Sequence, residues 1–270
     1  MQTISADLFL IFAAAAAMSV ANLQDHGGPA APATTAAVGK PKVVLVELFT
    51  SEGCSSCPPA DALLRKVNGT QTSAGQLIVG ISEHVTYWNS LGWADPFSST
   101  IYTDRQNGYG QRFGLDSVYT PQMVVNGSEQ FVGSDQAQLA RAIQRQPQQA
   151  EPITLHIVST QVKGSTLSVN FSASGEMPSR GADIIAVLAD DTDRSSVLRG
   201  ENSGRTLAHV AVARSLARVA TLSAAKEQTV EIPVPPSFRG VAGAGHHLIL
   251  FAQVTGYGPV LGADTQPLLL

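Results

Sequence analysis

Both cysteines of this 270-residue chain lie in one short stretch, FTSEGCSSCPPADALL, which runs from Phe49 to Leu64. They are Cys54 and Cys57, with Pro58 and Pro59 directly after them. Thiols at this spacing can interconvert between dithiol and disulfide, hold a soft metal, or close a small inert loop. The inert staple does least for a fold. Closing so short a loop stabilises by roughly 2 kcal/mol on the chain-entropy view, less than a bridge between distant residues. In the redox reading Cys54 is the exposed nucleophile, and Cys57 is the resolving thiol that expels a mixed-disulfide partner. Both precede a helix whose free N–H groups and positive dipole end favour a thiolate. Glu52 opposes that activation if its carboxylate points inward.

His84 offers two functional roles. It can accept a proton from Cys54, or it can join Cys54 and Cys57 as a third ligand for Cu(I), which suits thiolate and imidazole donors. The plain alternative is a polar residue at a strand end. A closed zinc site lacks an evident fourth ligand. Tyr87, Trp88 and Trp93 either form an apolar rim that grips a partner chain or pack beneath a long loop. The run Asp190 to Asp193 lacks the spaced ligands and glycine of a calcium loop and reads as a solvated turn. In Gly200 to Arg205, Glu201 and Arg205 can dock the second half of the chain on the first, or the stretch is an ordinary loop. The Asn-x-Ser/Thr triplets at Asn68, Asn126 and Asn170 matter only in a eukaryotic secretory pathway.

The elements that must position the cysteines are legible around them. Val43 to Phe49 (VVLVELF) is a continuous apolar run, as in a strand buried on both faces. A helix over 58–67 follows, with prolines in its first turn and Asn68-Gly69 to stop it. Gln76 to Ile81 is a second buried strand, which completes a βαβ unit. A further helix runs from a cap at Ser98 or Ser99 to Phe113 and buries Ile101, Tyr102, Tyr109 and Phe113, although Gly108 and Gly110 weaken its second half. Val118 to Gly133 reads as a hairpin turning at Asn126-Gly127, and Ser134 to Gln146 as a capped amphipathic helix.

This β-α-β-α-β-β-α order, with Thr120-Pro121 just before the third strand, resembles the thioredoxin fold. The resemblance implies an α/β thioredoxin-like domain over 42–147. It also implies that Pro121 is a cis-proline lying against the C-x-x-C, with neighbouring backbone that pairs with the substrate chain. The sequence departs from that family in having no aromatic residue before Cys54 and in its Ser55-Ser56 pair. Such residues help set the reduction potential, which spans about −270 to −120 mV across the fold. LFTSEGCSSCPPAD, HVTYWNSLGWADPFSS, YTPQMVVNG and GENSGRTLAHV together are similar to the exported bacterial proteins of domain-of-unknown-function family 1223. That similarity implies a thioredoxin-like first domain joined to a β-rich second one, and it supplies no activity.

After a linker, Pro147 to Pro152, the texture becomes β. About seven short strands over 153–270 suggest a separate all-β, sandwich-like domain. At the other end, Leu8 to Val20 is an apolar run of signal-peptide length, followed by a small-x-small site ending at Ala21. Residues 22–41 read as a flexible spacer. The expected location is therefore periplasmic or secreted. The net charge is −4 with no basic cluster, so nucleic acid is not an expected partner. Neither a phosphate loop nor a dinucleotide fingerprint is present. The expected activity is thiol–disulfide exchange on a protein or peptide, with no cofactor beyond the redox-active pair. The alternatives are a copper metallochaperone and a catalytically silent binding module.

Overall fold

Residues 40–146, 152–223, 227–238 and 245–269 are described by the computed structural model. The expected signal segment (1–21), the spacer up to residue 39 and linker residues 147–151 lie outside the described residues. All eight positions of β1 (Val43–Thr50) are buried, as an apolar run without alternation requires. It pairs in parallel with β2 (Leu77–His84), from Val43 against Leu77 to Thr50 against His84. The crossover is α1 (Pro58–Val67), with its prolines in the first turn and Arg65 and Lys66 in the last.

Next comes α2 (Thr100–Phe113), capped by the Ser99 side chain. Its buried face is Tyr102, Arg105, Gln106 and Tyr109, one stripe at helical spacing. Ile101 falls outside that stripe and is 47% exposed, contrary to the sequence reading. The hairpin of β3 (Gln122–Val125) and β4 (Glu129–Val132) turns at Asn126 and Gly127, both with positive φ. That is the backbone a two-residue primed turn demands. Then α3 (Gln136–Arg145) begins where Asp135 accepts from Gln138 N at 2.8 Å.

The second half contributes β5 (Ile153–Lys163), β6 (Thr166–Gly175), β7 (Ala182–Ser196), β8 (Thr206–Thr221), β9 (Gln228–Pro233), β10 (His246–Val254) and β11 (Val260–Leu268). Here the expected fold class is overturned. No thioredoxin-like domain stands apart from a β-sandwich. Eight strands form one mixed sheet in the order β11-β10-β7-β8-β2-β1-β3-β4, and β5-β6-β9 form a second, three-stranded sheet. The join is parallel pairing of β2 with β8 at Ser82 and Val212.

The physical reason lies in β7. Ile184, Ala186 and Leu188 share a core with Leu155, Phe171 and others of the three-stranded sheet. Ile185, Val187 and Ala189, on its opposite face, share a core with Leu45, Ile81 and Tyr102 from the first half. Both faces of β7 are thus buried, by different halves of the chain. Asp190 to Asp193, read from sequence as a solvated turn, lie inside this strand. Arg214 donates to Asp190 at 2.5 Å and to Asp193 at 2.9 Å, while His246 bonds Asp190 at 2.8 Å.

Candidate active site

From the end of β1 the chain turns through Ser51 to Cys57 into α1. Cys54 and Cys57 are joined as a disulfide. Both are fully buried, whereas Ser55 and Ser56 between them are exposed. Cys54 is therefore not the exposed nucleophile expected from sequence. Nor does the helix start offer a row of free N–H groups. Pro58 and Pro59 have none, and those of Ala60 and Asp61 donate to Cys57 O at 2.8 and 3.1 Å.

Thr120–Pro121 is a cis peptide bond. Gly133 N donates to Pro121 O at 2.9 Å, and a Cβ placed on Gly133 would sit 3.2 Å from Ala60 Cβ and 3.3 Å from Pro121 Cβ. The proline and the first turn of α1 are thus brought together around one glycine. Trp88 links the same two segments. Its Nε1 donates to Thr120 Oγ1 at 2.8 Å, and its Cβ lies 3.0 Å from where a Cβ on Gly53 would be. Trp93 Nε1 donates to Glu52 Oε2 at 2.8 Å. Each tryptophan thus holds one residue of the cysteine loop; Tyr87, 38% exposed, donates to Gln106.

Glu52 does point inward, but its charge is taken up. His209 Nε2 lies 3.2 Å from Oε1, and Ser195 Oγ donates to the same oxygen. Burial opposes ionisation, and bonds from His209, Ser195 and Trp93 outweigh it, so the carboxyl lies below its ordinary value. His209 is held between two acids. Its Nδ1 lies 3.7 Å from Asp61 Oδ1, which also accepts from Thr50 Oγ1 at 3.0 Å. Burial disfavours the imidazolium, but Asp61 and Glu52 raise its pKa to about 9. A buried cation is therefore in place at neutral pH, flanked by carboxylates.

His84 belongs to this network and not to the cysteines. Nδ1 pairs with Asp95 Oδ2 at 2.7 Å and Nε2 with Ser82 Oγ at 3.2 Å. With both nitrogens engaged it is placed neither as proton acceptor for Cys54 nor as a third Cu(I) ligand. Among the described residues, no group of three or more His, Cys, Asp or Glu side chains is arranged to hold a metal.

The turn from Val197 to Arg205 closes over the loop. Buried Asn202 donates through Nδ2 to Glu52 O at 2.8 Å and Cys54 O at 2.9 Å. Glu201 Oε2 accepts from Ser55 N at 3.0 Å, so Glu201 does dock the two halves. Arg205 instead donates to Asn202 Oδ1 at 2.8 Å. Sequence reasoning missed Asp61, Asn202 and His209. The last two lie about 150 positions from the cysteine loop, and the β7–β8 segment that carries them joins the first half through pairing with β2 and packing on α1.

On the other face of the sheet lies a second buried polar group. Arg105 donates to Glu47 at 2.5 Å and to Tyr109 Oη at 3.0 Å. Glu83 Oε1 stands 3.7 Å from Arg105 Nε, and among the described residues neither Glu83 oxygen has a hydrogen-bond partner. Burial first, then the charge of Glu47, push the Glu83 carboxyl well above its ordinary value.

A family model described as "Protein of unknown function (DUF1223)" matches residues 45–253. An X-ray crystal structure of the Agrobacterium tumefaciens protein AGR_C_4864 is similar at a TM-score of 0.60 and 27% identity, over 82% of this chain and 92% of that one. The structure of HBP35 of Porphyromonas gingivalis also has a TM-score of 0.60, at 13% identity, over 84% of this chain and 75% of that one; it bears on fold alone. No curated protein matches the chain.

Proposed function

The chain belongs to the DUF1223 family, whose description names no activity, and from the geometry of its site we propose that it carries out thiol–disulfide exchange on a protein or peptide substrate. The observation that carries this reading is the Cys54–Cys57 disulfide at the first turn of α1, with Pro121 packed around Gly133 beside that turn. In the reducing direction, the Cys54 thiolate attacks one sulfur of a substrate disulfide. A mixed disulfide forms and the other substrate sulfur leaves as thiolate. The Cys57 thiolate then attacks Cys54 Sγ, closes the internal disulfide and releases the second substrate thiolate. The substrate gains two electrons and the cysteine pair loses two. In the oxidising direction the same steps run backwards. The apolar run Leu8 to Val20 supports an exported setting, where both directions have substrates.

The test is trapping. Cys57→Ser in the reduced protein is expected to accumulate a covalent partner that reductant releases, and Cys54→Ser to abolish both trapping and turnover. Equal and negligible effects of the two changes would sink the proposal. One observation favours a second reading: both cysteines are fully buried, as suits an inert disulfide. Failure of dithiothreitol to reduce the folded protein would support that reading instead.

A further inference from the structure

A groove of about 330 Å³ runs along α1, from Pro58 in its first turn to Arg65 in its last, against the start of β8. Pro58, Asp61 and Arg65 form one wall, and Arg205, Thr206 and Ala208 the other. Pro58 directly follows Cys57, so the groove begins one residue from the reacting pair. We propose that it takes an acidic segment of the substrate, next to the substrate's reactive sulfur. This rests on the exchange reading above.

Charge carries the argument. Arg65 and Arg205 are both exposed, and their hydrogen-bond partners are neutral. Arg65 donates to Ala208 O at 2.8 Å and Arg205 to Asn202 Oδ1 at 2.8 Å. Among the described residues neither guanidinium has a carboxylate partner within ion-pair distance. The acid in the groove wall does not neutralise them. Asp61 is buried, turned toward Thr50 Oγ1, and countered by the His209 cation. Glu201, in the turn that leads to Arg205, keeps its charge but faces Ser55 N and pairs with neither guanidinium. Two uncompensated guanidiniums thus line one groove on a chain whose net charge is −4.

A guanidinium presents a planar fork of donors that matches a carboxylate. Aspartate or glutamate side chains flanking a substrate cysteine fit this chemistry, and lysines there are repelled. There is also a mechanical consequence. The Asn202 amide that Arg205 orients is the one that holds Cys54 O. A carboxylate that draws Arg205 toward itself therefore loosens the contact covering the buried disulfide.

The experiment uses the oxidised full-length protein and three reduced cysteine peptides of equal length, with acidic, neutral or basic flanks. The rate at which each reduces Cys54–Cys57 is followed at low and high salt. The acidic peptide is expected to react about tenfold faster than the neutral one at low salt, and the basic peptide slowest. The advantage should shrink at high salt, where exposed charges are screened. Arg65→Gln should lower the acidic-to-neutral ratio severalfold. Equal rates for the three peptides, or a ratio that Arg65→Gln does not lower, overturns the groove assignment and leaves exchange standing. If neither the peptides nor dithiothreitol reduces the protein, the exchange reading fails. The acidic peptide with serine in place of cysteine then tests the groove by calorimetry, where absence of binding overturns it.

Discussion

The side-chain amide of Asn202 donates to the carbonyl oxygen of Cys54 at 2.9 Å, although 148 positions separate the two residues. The same nitrogen donates to Glu52 O at 2.8 Å, and Asn202 is fully buried. Asn202→Ala leaves two buried carbonyls without that donor, at a cost of about 1–3 kcal/mol. The expected outcome is a lower midpoint of thermal unfolding together with faster reduction of the disulfide by dithiothreitol. A variant that melts and reacts like the wild type would show that the turn merely rests on the loop.

The His209 cation makes stability depend on pH. Its folded pKa of about 9 lies above the ordinary value near 6.5, so the folded chain retains a proton that the unfolded chain releases. The stabilisation is full below pH ~6.5 and is lost as pH rises to about 9. It is on the order of 3 kcal/mol. Urea unfolding across that range should show a falling free energy in the wild type and a flatter profile in His209→Gln. Parallel slopes would mean that another group titrates.

Glu83 works in a lower window. Its folded pKa is raised by burial and by Glu47, so the unfolded chain ionises first and stability falls as pH climbs above about 4.5. Glu83→Gln removes that loss. The variant should be more stable than the wild type at neutral pH, with the difference shrinking toward pH 4. Arg105→Gln should cost about 3–5 kcal/mol, because it strands the Glu47 charge in the interior. A destabilised Glu83→Gln protein at neutral pH would mean that the carboxylate itself is needed.

The local signals and the long-range ones differ in what the sequence reveals. The run VVLVELF, the paired prolines and the Asn126-Gly127 turn each carry their own stereochemistry, and β1, α1 and the β3–β4 hairpin follow from them. The expected independence of the two halves failed at β7 and β8. ADIIAVLA reads as one strand of a separate β domain, and periodicity cannot say which half of the chain covers each of its faces. The single registered pair joining β2 to β8, Ser82 with Val212, leaves no pattern in either segment. The candidate site divides in the same way. Cys54, Cys57 and Pro121 stand out by spacing and motif, whereas Asp61 within α1 and His209 within β8 carry no local signal that ties them to the cysteine loop.

Gly108 is a case where the missing information is a packing partner. In the middle of α2 a glycine weakens a helix by roughly 0.5–1 kcal/mol relative to alanine, which makes this stretch look doubtful from sequence. The structure supplies the reason. A Cβ at Gly108 would lie 2.1 Å from Tyr257 Cε2 and 2.2 Å from Cζ. That ring comes from the β10–β11 connection, and Arg112 Nε holds the backbone there by donating to Tyr257 O at 2.9 Å. The clash should outweigh the gain in helix propensity. Gly108→Ala is expected to destabilise by about 1–3 kcal/mol in the wild type. In a Tyr257→Ala background, where the space is open, it should stabilise by up to about 1 kcal/mol. Chemical unfolding of the four proteins in this cycle gives both numbers. Stabilisation by Gly108→Ala in both backgrounds would show that the ring moves aside freely and that α2 does not need glycine to dock on the second half of the chain.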